Sequence, residues 1–145
     1  LPPWNTQAAM TRTVFADAAY RVATINPRDQ WHPKAKTLTK RLTGTPLAAT
    51  QVILTEVLNH FSAFGPIMRR KAVGAMDAIV ADPLVAIVPQ SEASFQDGHV
   101  LHRGRPDKVY SLTDRVTMEE TRRRGVTEIL SGDRHFTQEG FTVLF

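Results

Sequence analysis

The sequence predicts an α/β fold, a three-layer α/β/α sandwich around a central, mainly parallel sheet. Three observations predict it. Short apolar or β-branched runs alternate with helical segments at least four times along the chain. Leu84 to Val88, LVAIV, is a continuous apolar run, the pattern of a strand covered on both faces. Acidic residues stand where predicted strands pass into predicted helices, the place where open α/β sheets put their ligand crevice.

In chain order, Thr13 to Ala16 (TVFA) reads as a first strand, and Asp17 joins it to an alanine-rich helix, AAYRVATI. Asn26 and Pro27 end that helix, because a residue before proline avoids the helical region. A second helix is expected from near Asp29 to Leu42, with Pro33 in its first turn. After a turn at Gly44 to Pro46, Leu47 to Thr50 forms a short strand and Thr50 caps the next helix. In Val52 to Phe64 the residues Ile53, Val57, Phe61 and Phe64 recur at helical spacing, with Glu56 on the edge of the apolar face. Ile67 to Val80 is expected as another helix, with Ala72, Val73, Met76, Ile79 and Val80 inward. The strand Leu84 to Val88 follows, then a helix from Ser91 to about Arg103 with Phe95 and Leu101 inward.

Ser111 and Asp114 spell S-x-x-D, a capping-box variant that opens a helix running to about Arg124 and closed by Gly125. Val126 to Ser131 reads as a short buried strand, Gly132 and Asp133 turn into a brief helix ended by Gly140, and Phe141 to Phe145 is a last strand. Residues 13 to 145 thus form one domain. Residues 1 to 12 read as an N-terminal extension, with Met10 as a natural start and Leu1 to Ala9 as appended sequence.

A chain of 145 residues buries roughly two thirds of its unfolded surface without staples. The absence of cysteine excludes disulfide frameworks, thiol nucleophiles and zinc thiolate sites, and suits a reducing cytoplasm. No apolar run approaches membrane-spanning length. The net charge is +4, and the cations cluster at Arg69–Lys71, His102–Arg105 and Arg122–Arg124. Such clusters are usually solvated helix faces, but a basic surface also attracts polyanions. Around an acidic set it is the combination a metal-dependent nuclease needs.

That acidic set is Asp17, Glu56, Asp114 and Asp133, four carboxylates proposed to converge on divalent metal. Each has a plainer reading. Asp133 serves as a helix cap and Asp114 as partner in its capping box, each worth about 1 kcal/mol. Glu56 loses water on an apolar edge and finds compensation either in a metal ion or in a buried arginine pair. His99 and His102, three apart, make a weak zinc pair beside the plainer reading of a solvated turn.

The stretches VFAD (Val14 to Asp17), INPRDQWH (Ile25 to His32), LTEVLN (Leu54 to Asn59), DKVYSLTD (Asp107 to Asp114) and RRRGVTEILSGDRHFTQEGF (Arg122 to Phe141) resemble the PIN-domain ribonucleases of the VapC toxin family. The likeness keeps order and spacing over nearly the whole chain from Thr13. It implies a PIN-like sandwich and a metal-dependent endoribonuclease, the toxin half of a type II toxin–antitoxin pair. It also implies catalytic and metal-ligating roles for Asp17, Glu56, Asp114 and Asp133, held on Mg²⁺ or Mn²⁺. Hard cations suit all-oxygen donors, and such an ion polarises the phosphodiester and acidifies a bound water. Ser131 and Asn59 are the expected supports of these ligands, with Ser131 orienting Asp133 or a water. Arg115, Arg134, His135, Arg103 and Arg105 are the expected RNA contacts. The implied partners are a structured RNA such as transfer RNA, a small antitoxin and a second copy of the chain.

Departures from the family pattern are Ala18 and Ala19 after the first acid, where hydroxyl residues are common, and the polar run Arg115, Glu119, Glu120 and Thr121 after the third. They keep open an alternative, a catalytically weak PIN fold that binds RNA or protein. Other enzymes on such a sheet fit poorly: AAYRVA has no glycine for a dinucleotide turn, Ala19 stands where a haloacid-dehalogenase phosphatase needs aspartate, and no phosphate-binding loop occurs.

Overall fold

Val14–Ala16 (β1) is wholly buried, and its side chains alternate between the two faces of the sheet as strand geometry requires. Phe15 packs with Ala48, Ile129, Met118 and Phe136, whereas Val14 and Ala16 pack with Tyr20, Ala23, Ala35 and Leu130. Burying the Phe15 ring contributes about 1.5–3 kcal/mol. The computed structural model describes residues 12 to 145. Of the expected extension only Arg12 is among them, gripping Glu128 through two hydrogen bonds of 2.7 and 2.9 Å; the rest lies outside the described residues.

The remaining strands are Leu47–Thr50 (β2), Val85–Val88 (β3), Glu128–Leu130 (β4) and Thr142–Val143 (β5). They form one sheet in the order β3-β2-β1-β4-β5, with every pairing parallel. Phe15 stands opposite Ala48 on one side and Ile129 on the other. The helices are Ala18–Ile25 (α1), His32–Arg41 (α2), Gln51–Phe61 (α3), Gly65–Ala81 (α4), Glu92–Gly104 (α5), Leu112–Arg123 (α6) and His135–Gln138 (α7). α1 and α2 cover one face of the sheet, α6 and α7 the other. The expected α/β/α layering with a parallel sheet is what the chain forms. Among the described residues no helix is long and apolar enough to cross a membrane.

Local signals account for the helix ends. Thr50 Oγ1 accepts from Ile53 N–H at 3.1 Å and opens α3. Ser111 and Asp114 form the capping box that opens α6, with both reciprocal bonds at 3.0 Å. Gly125 closes α6 at φ +69°, a left-handed conformation glycine adopts without strain.

Several sequence expectations are corrected. β3 is an edge strand with alternating burial, not one covered on both faces. α2 begins at His32, because Asn26 to Trp31 form turns. On α4 the residues Val73 and Val80 are 50% and 61% exposed, while Ala72 is buried and Met68 and Ala75 pack against α1 and α3. On α5, Phe95 is 41% exposed and the inward residues are Ser94 and Gly98. Small residues face the neighbouring elements here because the backbones come close.

Gly98 shows how close. A Cβ there would lie 2.5 Å from Val116 Cγ2 and 3.1 Å from its backbone nitrogen. Gly98→Ala is therefore expected to destabilise the fold by about 1–3 kcal/mol, read as a lower urea midpoint, by forcing α5 off α6.

Candidate active site

The sheet order reverses at β1, whose neighbours are β2 and β4, and chains leaving β1 and β4 turn to opposite faces. This switch point opens a crevice at the carboxyl ends of the strands. Asp17 leaves β1 there and Ser131 to Asp133 leave β4, joined by a hydrogen bond from Asp17 N–H to Leu130 O at 3.0 Å.

Asp17 is fixed by two bonds. Its Oδ1 accepts from Ala18 N–H at 2.8 Å, and its Oδ2 accepts from the buried Ser131 hydroxyl at 2.6 Å. The same hydroxyl accepts from Asp133 N–H at 3.0 Å, so one oxygen sets the first and fourth acids against each other. The expected support by Ser131 is thus directed to the Asp17 carboxylate and the Asp133 backbone. Burial pushes the Asp17 carboxyl above the usual carboxylate range; the Ser131 and Ala18 bonds pull it down, and the charges of Asp114 and Asp133 push it up again.

Asp133 Oδ1 accepts from His135 N–H at 2.9 Å, and His135 Nδ1 lies 2.8 Å from the same oxygen. The His135 ring packs on Tyr110, centroids 4.9 Å apart, and Tyr110 donates its hydroxyl to Gln138 Oε1 at 2.9 Å. His135, expected as an RNA contact, thus holds Asp133, and Tyr110 holds His135. Tyr110 escaped sequence reasoning; its place before the SLTD block was the only signal.

Asp114 sits half-buried at the start of α6, with Oδ2 engaged by Ser111 N–H. Glu56 lies on the solvent side of α3, yet its carboxyl leans among protein atoms, and that desolvation, then the charges of Asp17 and Asp114, push it upward. The four acids are therefore electrostatic neighbours. Among the described residues none of them pairs with lysine or arginine, and Asp133 pairs only with His135. Among the same residues no three of the acids and histidines stand together as a finished cation cage. All-oxygen donors grouped without a paired lysine or arginine fit a hard divalent ion, and magnesium takes only one or two carboxylates while keeping its waters.

Asn59 is exposed one turn beyond Glu56, and its side chain makes no hydrogen bond to the four acids among the described residues. Arg115 corrects its expected role: it is 2% exposed, stacked 4.0 Å from the Tyr110 ring centre and 3.7 Å from Glu139, out of reach of RNA and of Asp114. Arg105 is exposed but shared between Asp107 and Glu139, at 3.7 and 3.9 Å. Arg103 and Arg134 are exposed, and neither makes an ion pair among the described residues.

Ser131→Ala is expected to lower manganese affinity about 10–100-fold, the usual effect of removing a partner of a metal ligand, with Ser131→Thr restoring it. Calorimetric titration checks this.

No family model matches the chain, and no curated protein does. Among solved structures it is similar to VapC20 of Mycobacterium tuberculosis, a toxin that cleaves the sarcin-ricin loop. That match has a TM-score of 0.77 at 21% identity, covering 90% of this chain and 98% of that one. A chain of VapBC2 from Rickettsia felis, solved bound to a DNA fragment from its promoter, matches with a TM-score of 0.66 at 9% identity, covering 91% and 97%. The chain has the PIN-type α/β/α fold of the VapC toxins.

Proposed function

We propose that the chain is a metal-dependent endoribonuclease, hydrolysing RNA phosphodiester bonds as the toxin component of a toxin–antitoxin pair. The observation that carries this reading is the electrostatic grouping of Asp17, Glu56, Asp114 and Asp133: burial and then the neighbouring acids push Asp17 and Glu56 upward, with no lysine or arginine paired to any of the four among the described residues. Such crowding is costly unless a cation enters. Asp17 and Asp133 are the acids best placed to hold Mg²⁺ or Mn²⁺, with Glu56 and Asp114 adding negative potential and receiving its waters. When bound, the ion supplies Lewis-acid polarisation of the phosphodiester and an acidified water. Ser131 keeps the Asp17 oxygens aimed, and His135 restrains Asp133.

The likeness in fold to a toxin that cleaves the sarcin-ricin loop supports a structured RNA as substrate, and the VapBC2 complex supports an antitoxin partner. Exposed Ile67, Val73 and Val80 on α4 offer apolar surface to that partner or to a second copy. The protein acts in the cytoplasm, where its RNA is.

Incubation with transfer RNA and with a sarcin-ricin stem-loop, with Mg²⁺ or Mn²⁺ and with chelator, tests the reading. Cleavage that needs metal and disappears in Asp17→Asn is the expected result; no cleavage with either ion, or equal cleavage by both proteins, overturns it. The second reading, a binding module, draws on Asp114, whose Oδ2 is already engaged by Ser111 N–H. It predicts RNA retention without cutting.

A further inference from the structure

Beside Asp133 lies a cavity of about 180 Å³ lined by Trp31, Lys34, Gly132, Arg134 and Phe145. Its position follows from the sheet. Gly132 and Arg134 leave β4 and Phe145 leaves β5, so both reach the carboxyl edge where Asp17 and Asp133 stand. The turn before α2 carries Trp31 to the same edge, where its ring meets Phe145 edge to face at 6.3 Å, and Phe145 meets Tyr20 at 6.0 Å.

Trp31 and Lys34 of this cavity stand open to solvent. Trp31 is 51% exposed, an expensive way to place a large ring. Lys34 rests its ammonium 5.7 Å from the Trp31 ring centre and 5.8 Å from that of Phe145, and neither it nor Arg134 makes an ion pair among the described residues. An open aromatic face with two unneutralised cations is the composition that binds a nucleobase and the phosphates beside it, since any base has a π-face and phosphates need only charge.

We propose that Trp31 and Phe145 form a stacking subsite for one unpaired base of an RNA strand whose neighbouring phosphates are held by Lys34 and Arg134. The base and the Lys34 ammonium compete for the same rings, so binding moves the ammonium onto phosphate. Because Gly132 and Arg134 flank Asp133 in the chain, the stacked nucleotide lies next to the phosphodiester presented to the acids. The subsite thus rests on the endoribonuclease reading and narrows its substrate to RNA with an unpaired base at the cut, a loop or bulge rather than a continuous duplex.

The test is binding of a single-stranded RNA hexamer in chelator, where no cleavage occurs, by a full-length protein in which Trp4 is replaced by phenylalanine so that Trp31 alone fluoresces. The hexamer is expected to quench Trp31, and an abasic hexamer of the same length to bind about tenfold more weakly without quenching. Read by the anisotropy of an end-labelled hexamer, Trp31→Ala should lose that difference between the two oligonucleotides, and Trp31→Phe should keep most of it. Lys34→Ala and Arg134→Ala should weaken both oligonucleotides alike and reduce the salt slope by about 1. Equal binding of abasic and base-bearing RNA, or an unchanged Trp31→Ala protein, overturns the subsite. Quenching that persists in a protein unable to cut RNA with any metal leaves the subsite standing and removes the endoribonuclease reading.

Discussion

Asp17→Asn is expected to abolish RNA cleavage while making the metal-free protein more stable at neutral pH. Losing only the partner of a metal ligand costs about 10–100-fold, so losing the ligand itself should cost more than about a hundredfold in kcat/KM. The stability effect has the opposite sign. Asparagine still accepts from Ala18 N–H and so keeps the α1 cap. It removes a carboxylate whose folded pKa is raised, by burial first and then by Asp114 and Asp133. A raised acid holds its proton in the folded state when the unfolded chain has lost it. Its contribution is therefore complete below the unfolded carboxylate pKa and declines as pH rises through the folded one. Glu56 adds to the same slope. Thermal melts without metal should show wild type losing stability above the carboxylate range and Asp17→Asn losing less, with a gain of about 0.5–2 kcal/mol at pH 7. Manganese should reverse the order by stabilising wild type alone. A wild-type protein that melts identically with and without manganese would count against the acids as a cation site.

Glu139→Ala is expected to cost about 3–5 kcal/mol, whereas Arg115→Met should stay within about 1 kcal/mol of wild type. Glu139 stands 3.7 Å from the buried Arg115 guanidinium and accepts from Arg122 through Oε2 at 3.1 Å, joining α7 to α6. Removing the carboxylate leaves the Arg115 cation buried with only the Tyr110 ring to face. Removing the arginine deletes a charge whose Nε and Nη2 already lack hydrogen-bond partners, and methionine refills the volume. Burial disfavours the Glu139 charge, but the hydrogen bond from Arg122 and the nearby cations outweigh that and hold its pKa low. The stability it confers should then be present above the usual carboxylate pKa and vanish as pH falls through the lowered one. Denaturant midpoints of the two variants at neutral and acid pH decide this; equal losses from both would refute the pairing.

The strand exits were legible because buried parallel strands are short apolar runs, and an acid directly after one, as in VFAD, has to be at a sheet edge. The helix faces of α4 and α5 were not. There contact is made by Ala72, Ala75, Ser94 and Gly98, and a reading that ranks residues by apolar size turns Val73, Val80 and Phe95 the wrong way. Arg115 was misread for a related reason. The Tyr110 ring and Glu139 that bury it come from either side of α6 in sequence, and nothing in the local polarity separates a solvated arginine from a stacked one. The four acids and the supporting Ser131 could be named from the chain, but which atoms they join could not. Ser131 reaches Asp17 across 114 positions, and His135 grips Asp133 through a turn whose geometry no spacing rule specifies.

The pairing of β1 with β4 ties the first element among the described residues to one more than a hundred positions later in the chain. While a ribosome is still producing residues 128 to 131, β1 has no neighbour on that side, and Asp17 lacks the hydroxyl that aims it. A nascent chain therefore carries its first acid long before the residue that orients it has been made.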